Sequence, residues 1–212
     1  MKRPSWLYRF LYQVILRITT PLALLVLRVH FHGIRNIPKR GPFILCCNHR
    51  SVIDPWFLAM GFRQHLYFMA KYELFEQHSS AAAWFLRSMG AFPVHRERAD
   101  MQSLRTAENI LQGGDVLGIF PQGKVVFDNS PFQPKSGAVL IAARANVPIV
   151  PASIWCDGPW KPCRKVTIRI GKTLPAEIFS GAGKDRQKLR QCAKLLADTI
   201  NQQLEMGHDS CR

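Results

Sequence analysis

Short apolar runs bounded by turn residues alternate with longer amphipathic stretches along most of the chain, and this alternation constrains the fold more than any other feature. Short runs rich in β-branched and aromatic side chains predict buried strands. Such runs occupy residues 29–34, 43–47, 66–70, 91–94, 116–120, 149–155 and 166–170. Stretches with helical spacing lie at 55–61, 80–89, 100–112, 137–145 and 184–205.

Strands that alternate with helices build a sheet whose faces are covered by those helices. The sequence therefore predicts the α/β class, with a mostly parallel central sheet flanked by helices. In such sheets ligands bind beyond the carboxyl ends of the strands. The loops that follow the predicted strands are thus the places to look for chemistry.

Residues 1–28 differ from the rest because aromatic and aliphatic residues there are interleaved with arginines. The longest uncharged run, 18–27, is about half of the ~20 residues that a membrane-spanning helix needs. This pattern predicts an amphipathic helix in the membrane interface, with its arginines reaching the headgroups. The alternative is a helix that packs on the protein's own core. We expect Pro21 to kink or divide it, and we take 29–212 as the α/β domain.

Lys and Arg outnumber Asp and Glu by 29 to 14, which gives a formal net charge of +15. Such an excess indicates an anionic partner, which can be nucleic acid, an anionic membrane surface or a phosphorylated substrate. The basic residues match no nucleic-acid recognition pattern. We therefore expect an anionic membrane surface and no nucleic acid as the partner.

The cysteines have neither the C-x-x-C spacing of a metal site nor the density of a disulfide scaffold. Cys46 and Cys47 are adjacent in a predicted strand, so their side chains are expected to point to opposite faces as small buried hydrophobic groups. This usage predicts a reducing environment, and with the membrane-interface helix it predicts a peripheral or monotopic protein on the cytoplasmic face of a membrane.

The loop after strand 43–47 contains His49, followed five positions later by Asp54. A carboxylate beside an imidazole fixes its tautomer and stabilises the imidazolium that forms when the other nitrogen accepts a proton. The spacing thus allows a catalytic base. The alternative is structural, since Asp54 followed by Pro55 is also typical of a helix N-cap followed by its first residue.

Two further loops follow predicted strands. The first, at 90–96, ends in Arg96, and the second, at 120–124, contains Gly123 and Lys124. Glycine lets backbone N–H groups approach a ligand closely, and a lysine adds a charge suited to phosphate. Either loop alone is a weak signal.

The order of these segments is more specific. Asn-His-x-x-x-x-Asp at 48–54, Gly-x-x-x-Val-x-Arg at 90–96, Phe-Pro-x-Gly at 120–123 and Val-Pro-Ile-Val-Pro at 147–151 together resemble the glycerolipid acyltransferase family. The best-known branch of that family acylates 1-acyl-glycerol-3-phosphate (lysophosphatidate) to phosphatidate. The resemblance also includes Ala-Lys-x-Glu-Leu at 70–74 and Lys-x-Gly at 135–137, and it runs from about residue 33 to residue 170.

The resemblance implies that His49 deprotonates an acceptor hydroxyl while Asp54 holds the imidazole. The hydroxyl oxygen would attack the thioester of acyl-CoA or of an acyl-carrier protein, with no covalent intermediate and no cofactor. Backbone donors near Gly123 would stabilise the oxyanion. The implied substrate-binding set is Lys71, Arg96, Gln122, Gly123, Lys124 and Lys135.

The third motif departs from the family pattern, Phe-Pro-Glu-Gly-Thr-Arg-Ser. Gln122 replaces the glutamate, Lys124 the threonine, and Val125 and Val126 the arginine and serine. Since the family assigns that glutamate and arginine to acceptor binding, the departure leaves the acceptor open between lysophosphatidate and another lipid or alcohol. It also motivates a different class of function, a non-catalytic basic membrane-binding protein.

His30 and His32 lie two apart in a predicted strand and therefore face the same side, where they could share a metal ion. No third ligand at a suitable spacing accompanies them. We therefore expect a solvent-facing pair and no metal site.

Overall fold

The structure, a computed structural model, describes residues 6–76, 80–88, 90–94, 101–133, 135–161 and 164–207. Seven strands form one sheet in the order β1-β7-β6-β2-β5-β3-β4. Their bounds are β1 Val29–His32, β2 Phe43–Cys47, β3 Leu66–Lys71, β4 Ala91–Val94, β5 Val116–Ile119, β6 Ile149–Cys156 and β7 Val166–Ile170.

The helices are α1 Trp6–Leu27, α2 Asp54–Met60, α3 Glu73–Glu76, α4 Ser80–Ser88, α5 Met101–Gln112, α6 Gly137–Ala145 and α7 Arg186–Glu205. Short 3-10 turns occupy Ile34–Asn36 and Ala176–Phe179. Local chemistry fixes several ends. The carboxylate of Asp185 accepts the backbone N–H groups of Gln187 and Lys188 and so caps α7. Gly114 adopts φ 79° just after α5, a left-handed conformation that ends the helix.

The predicted fold class is confirmed, because five of the six strand pairings are parallel. The exception is the pairing of β7 with β6, which is antiparallel. Residues 157–165 join these two strands directly, and a link of that length is too short for the helical crossover that a parallel pair requires. Since β1 pairs in parallel with β7, it too runs against the other strands.

The sheet is buried on both faces. Every residue of β2 is buried, and its side chains alternate between two hydrophobic clusters. Cys46 belongs to the cluster under α5, α6 and α7, whereas Cys47 belongs to the cluster under α1 and α2. The expectation that these cysteines point to opposite faces is confirmed.

Helix α1 lies on the second of these faces and continues through Pro21 without being divided. Tyr12, Leu16 and Ala23 form its buried side. The helix also exposes apolar side chains to solvent, at Phe10, Ile15, Ile18, Leu24, Leu25 and Val26. Within the residues described above, no helix is both long and apolar enough to cross a bilayer. The membrane-interface location and the division at residue 28 stay predictions.

Candidate active site

The carboxyl ends of β2 and β5 lie side by side at one edge of the sheet. The dyad loop (residues 48–54) leaves β2 there, and the Phe-Pro loop (residues 120–133) leaves β5. The topology therefore brings together two segments that are about seventy residues apart in the sequence. This is the edge at which a mostly parallel sheet binds its ligands.

His49 and Asp54 are in direct contact within the dyad loop. The His49 Nδ1 lies 2.9 Å from Asp54 Oδ2. The same carboxylate oxygen accepts the backbone N–H groups of Arg50 at 2.5 Å and Ser51 at 2.8 Å. Asp54 is 1% exposed and His49 is 7% exposed. The contact directs Nδ1 to the carboxylate and leaves Nε2 as the ring nitrogen that can exchange a proton with a ligand.

The alternative interpretation of Asp54 as a helix N-cap is wrong. Ile53 occupies the cap position of α2, and Asp54 is the first residue of the helix. Its side chain turns back to the backbone of residues 50 and 51 and does not cap the helix. The carboxylate thus organises the loop that carries the histidine.

A column of aromatic rings supports the imidazole. The His49 ring stacks on Phe120, with centroids 3.9 Å apart and planes 14° apart. Phe120 in turn stacks on Phe68 at 5.7 Å. Gly118 makes room for this column, since a Cβ at that position would lie 2.2 Å from the Phe68 ring. The rings fix the plane of the imidazole, and the carboxylate fixes its rotation within that plane.

The Phe-Pro loop also holds the backbone of His49. The Gln122 Oε1 accepts the His49 N–H at 2.5 Å, and the Val126 N–H donates to the His49 carbonyl at 2.8 Å. Gln122 was predicted to bind substrate. The structure places its carbonyl oxygen on the main chain of the histidine.

Arg50 is a buried cation that ties three segments together. Its guanidinium donates to the side chain of Asn129 and to three backbone carbonyls, those of Cys156, Phe127 and Gly158. The dyad loop is thereby attached both to the Phe-Pro loop and to the segment after β6. Asn48 adds a second attachment, because its amide exchanges two hydrogen bonds with the backbone of Ile154 on β6.

The turn at Gly123 has φ +72°, a conformation that favours glycine. The Gly123 N–H donates to the Phe120 carbonyl at 2.9 Å, so this amide is engaged within the turn and does not face a ligand. Lys135 packs over the turn, and a Cβ on residue 123 would lie 3.1 Å from its Nζ. Lys124 lies exposed beside them.

The two other predicted cations lie farther from the dyad or outside the described residues. Lys71 is the last residue of β3, and β5 lies between β3 and β2, the strand that precedes His49. The Lys71 ammonium pairs with Glu73 at 3.0 Å. Arg96 falls within 95–100, outside the described residues. The substrate-binding roles of these residues stay predictions.

Within the part of the chain that the structure describes, no group of three or more His, Cys, Asp and Glu residues has the arrangement of a metal site. His30 and His32 lie on the same face of β1.

Two cysteines lie close to the dyad in the sequence, but burial raises the pKa of the Cys46 and Cys47 thiols. A thiol that stays protonated is a poor nucleophile.

Sequence reasoning missed several residues that hold the site. Arg50 and Asn48 flank the histidine, but nothing in the sequence indicates that a guanidinium there is buried. Phe120 carried a partial signal, since it ends an apolar run at the edge where ligands bind. The contact between Gln122 and the His49 backbone joins two separate loops, and no local pattern encodes it.

Comparisons with known proteins identify a family that this chain matches. Residues 28–155 match the family described as Acyltransferase. Two relatives are the 1-acyl-sn-glycerol-3-phosphate acyltransferases of Bacillus subtilis and Streptococcus pneumoniae. Each is 34% identical, over 126 and 127 residues respectively. The alignments cover 59% and 58% of this chain, and they span 61% and 46% of the relatives' own lengths.

A similar solved structure is that of the 1-acyl-sn-glycerophosphate (LPA) acyltransferase PlsC from Thermotoga maritima. It superposes with a TM-score of 0.72 at 24% identity, over 99% of this chain and 86% of that one. At that identity the likeness establishes the fold.

Proposed function

This chain belongs to the acyltransferase family, and from that premise we propose that it transfers a fatty acyl group from a thioester to the hydroxyl of a lysolipid. The observation that carries the proposal is the 2.9 Å contact between His49 Nδ1 and Asp54 Oδ2 at the ligand-binding edge of the sheet. The acceptor that we propose is 1-acyl-glycerol-3-phosphate, which gives phosphatidate, because the matched relatives carry that activity in their names.

The proposed reaction begins when His49 Nε2 accepts the proton of the acceptor hydroxyl. The oxygen attacks the thioester carbonyl and forms a tetrahedral oxyanion, which collapses as the C–S bond breaks. The imidazolium returns its proton to the departing thiolate, so the products are an ester and a free thiol. Asp54 stabilises the imidazolium between these steps. Neither acyl-enzyme nor cofactor takes part.

The oxyanion requires N–H donors, and the engaged amide of Gly123 does not supply one. The backbone amides of Gln122 and Lys124, on either side of it, have no hydrogen-bond partner among the described residues. We propose these two as the donors. Lys124 and Lys135 would also hold a phosphate of the substrates near the turn.

One observation favours a second class of acceptor, a lipid without a terminal phosphate. Val125 stands where the family pattern has arginine, so the fork of donors that suits a phosphate is absent from this position. A lysolipid or lipid alcohol without a terminal phosphate is therefore the second candidate. A panel of acceptors with and without phosphate distinguishes the two.

We further propose that the protein works on a membrane surface, on the cytoplasmic side. The apolar side of α1 supports this, since Ile18 and Leu25 are 71% and 77% exposed. Two more exposed apolar residues lie in the loops of the site, Val52 at 74% and Phe127 at 68%. The formal charge of +15 complements anionic headgroups.

The test is acyl transfer by purified wild-type protein and by the His49→Ala variant, followed as thiol release from acyl-CoA in the presence of 1-acyl-glycerol-3-phosphate. We expect His49→Ala to lose about 10³-fold or more in rate, with an unchanged circular dichroism spectrum. His30→Ala, which removes an exposed imidazole from β1, is the matched control and should keep its activity. Equal thiol release by wild type and His49→Ala contradicts the proposal.

A further inference from the structure

A groove lies between the Phe-Pro loop and the outer side of α7, on the face of the sheet opposite α1. Its volume is about 820 Å³, which falls within the ~300–1,000 Å³ typical of small-molecule sites. Two segments form its walls. One consists of residues 131–133, 135 and 136, and the other is the side of α7 from Arg190 to Asn201. A concave site of this size suits a small ligand better than the surface of a partner protein.

The lining of the groove is cationic. Lys135, Arg190 and Lys194 line it, against the single carboxylate of Asp198. Asp198 pairs with Lys194 at 2.8 Å. Lys135 and Arg190 have no ion pair with any carboxylate in the described part of the chain. Two uncompensated cations in one concavity create a positive potential that attracts anions, and phosphate above all.

Part of the lining of the groove is buried and apolar. It consists of Ala193 and Ala197 on α7, with Phe132 beside them. Asn201 joins the two walls, because its side chain accepts the Phe132 N–H and donates to the Phe132 carbonyl. Apolar and cationic side chains therefore line one concavity, which suits a molecule that has both an apolar part and phosphate groups.

The groove adjoins the dyad through one turn. Lys135 lines the groove and also packs over Gly123. Its backbone N–H donates to the Pro121 carbonyl at 2.9 Å. The next residue, Gln122, accepts the His49 N–H. A ligand that contacts Lys135 in the groove therefore lies beside the turn that supports the catalytic histidine.

We infer that this groove binds the nucleotide end of the acyl donor, a thioester of the coenzyme A type, with Lys135 and Arg190 on its phosphates. The assignment of the ligand as acyl donor rests on the proposed function, whereas the anion-binding groove does not. The acyl-bearing arm would extend from Lys135 along the turn at 121–123 to His49. Arg190, on a helix outside the family motifs, thus becomes a determinant of donor affinity.

The first measurement is the affinity of the full chain for coenzyme A by isothermal titration calorimetry. We expect Arg190→Ala to weaken binding about tenfold, because one charge-assisted contact to phosphate is lost. Arg186→Ala removes an equal charge from the first turn of α7, outside the groove, and should change the affinity less than twofold. Wild-type binding that is absent, or equal in Arg190→Ala, overturns the inference.

The second measurement compares two donors. The KM for acyl-CoA should rise about tenfold in Arg190→Ala, while the KM for acyl-pantetheine, which lacks the nucleotide, should not change. An equal rise for both donors overturns the inference, as does an Arg190-dependent affinity for acyl-carrier protein without one for coenzyme A.

The two proposals fail separately. His49→Ala should keep wild-type affinity for coenzyme A while it loses transfer. If the wild type binds coenzyme A through Arg190 but releases no thiol from acyl-CoA with any acceptor, the proposed function is wrong and the groove assignment stands.

Discussion

The dyad loop and the Phe-Pro loop leave neighbouring strands at the same edge, but they are built in different ways. In the dyad loop the polar side chains of Asn48, His49, Arg50 and Asp54 are buried, and all of them are hydrogen-bonded. In the Phe-Pro loop the side chains of Lys124, Phe127 and Asp128 are exposed. The loop that matches the family pattern is the one whose polar side chains are buried and hydrogen-bonded, and the loop that departs from it exposes side chains to solvent.

This difference separates chemistry from substrate choice. A base must be held within a fraction of an ångström of its working position, which requires partners on several sides. An exposed loop can exchange side chains at little cost in stability. We therefore expect substitutions of the buried, hydrogen-bonded side chains to lower transfer or stability, and substitutions of the exposed side chains of the Phe-Pro loop to change substrate choice.

Asp54→Asn should have the largest effect. The asparagine amide can donate to Nδ1 and would then favour the wrong imidazole tautomer, so kcat should fall about 10³–10⁴-fold. Steady-state thiol release measures this loss. Asp185→Asn, which alters the cap of α7 far from the dyad loop, is the control and should keep its kcat. A kcat of Asp54→Asn within tenfold of the wild-type value would contradict the assignment of the chemistry to the dyad loop.

Arg50→Ala should have the next largest effect, on stability. The substitution leaves the Phe127 and Gly158 carbonyls and the Asn129 Oδ1 without their donor. The Cys156 carbonyl keeps its hydrogen bond from the Asn129 amide. We expect a loss of about 2–4 kcal/mol. Urea unfolding measures it. Lys124→Ala, a cation of the exposed loop, should change stability by less than about 0.5 kcal/mol. Similar losses in both variants would mean that the two loops are equally well anchored.

Gln122→Ala tests the contact at which the loops meet. Without Oε1 the His49 N–H loses its acceptor and the imidazole shifts, so kcat should fall about 10–100-fold with little change in KM. Gln122→Glu keeps an oxygen at that position and should restore kcat to within about threefold of wild type. A rise in KM for the acceptor, with kcat unchanged, would instead assign Gln122 to substrate binding.

Val125→Arg tests substrate choice directly. The new guanidinium should lower the KM for 1-acyl-glycerol-3-phosphate by up to about tenfold and leave an acceptor without phosphate unaffected. Val125→Leu controls for side-chain size. Equal changes for both acceptors would show that this position does not recognise phosphate.

Asp128 should give the smallest effect. Hydrogen bonds from the Ser130 hydroxyl and backbone N–H lower the pKa of its carboxyl below the usual 3.8. The folded protein therefore favours the carboxylate, so this contribution to stability is present above pH 3.8 and is lost as the pH falls through the lowered pKa. The small gap in urea midpoint between wild type and Asp128→Asn should thus narrow below pH 3.8. A gap that widens in acid contradicts this.

The fold was largely predictable because apolar periodicity is local. The predicted strands all form, and the predicted helices begin and end within about two residues of their observed bounds where those bounds are described. The reversed direction of β7 and the four-residue helix Glu73–Glu76 were not predicted. Strand direction depends on the connection between strands, and so short a helix has no periodicity to detect.

The site was predictable only in part, for a related reason. The pairing of His49 with Asp54 is local: the spacing allowed it, and the family resemblance implied it. The burial of Arg50 and the role of Gln122 depend on contacts across more than seventy residues. The engaged amide of Gly123 depends on how its turn closes. A sequence pattern identifies residues near a site, but it does not show which of their atoms are already hydrogen-bonded within the protein.

Gly118 contributes no atoms of its own to the site, and yet the angle of the imidazole depends on it. A methyl group at this position would displace the Phe68 ring, and the displacement would pass through Phe120 to His49. A larger residue at position 118 therefore requires a smaller one at position 68. A relative that gained a side chain at position 118 alone would keep both residues of the dyad and would still hold the imidazole at the wrong angle.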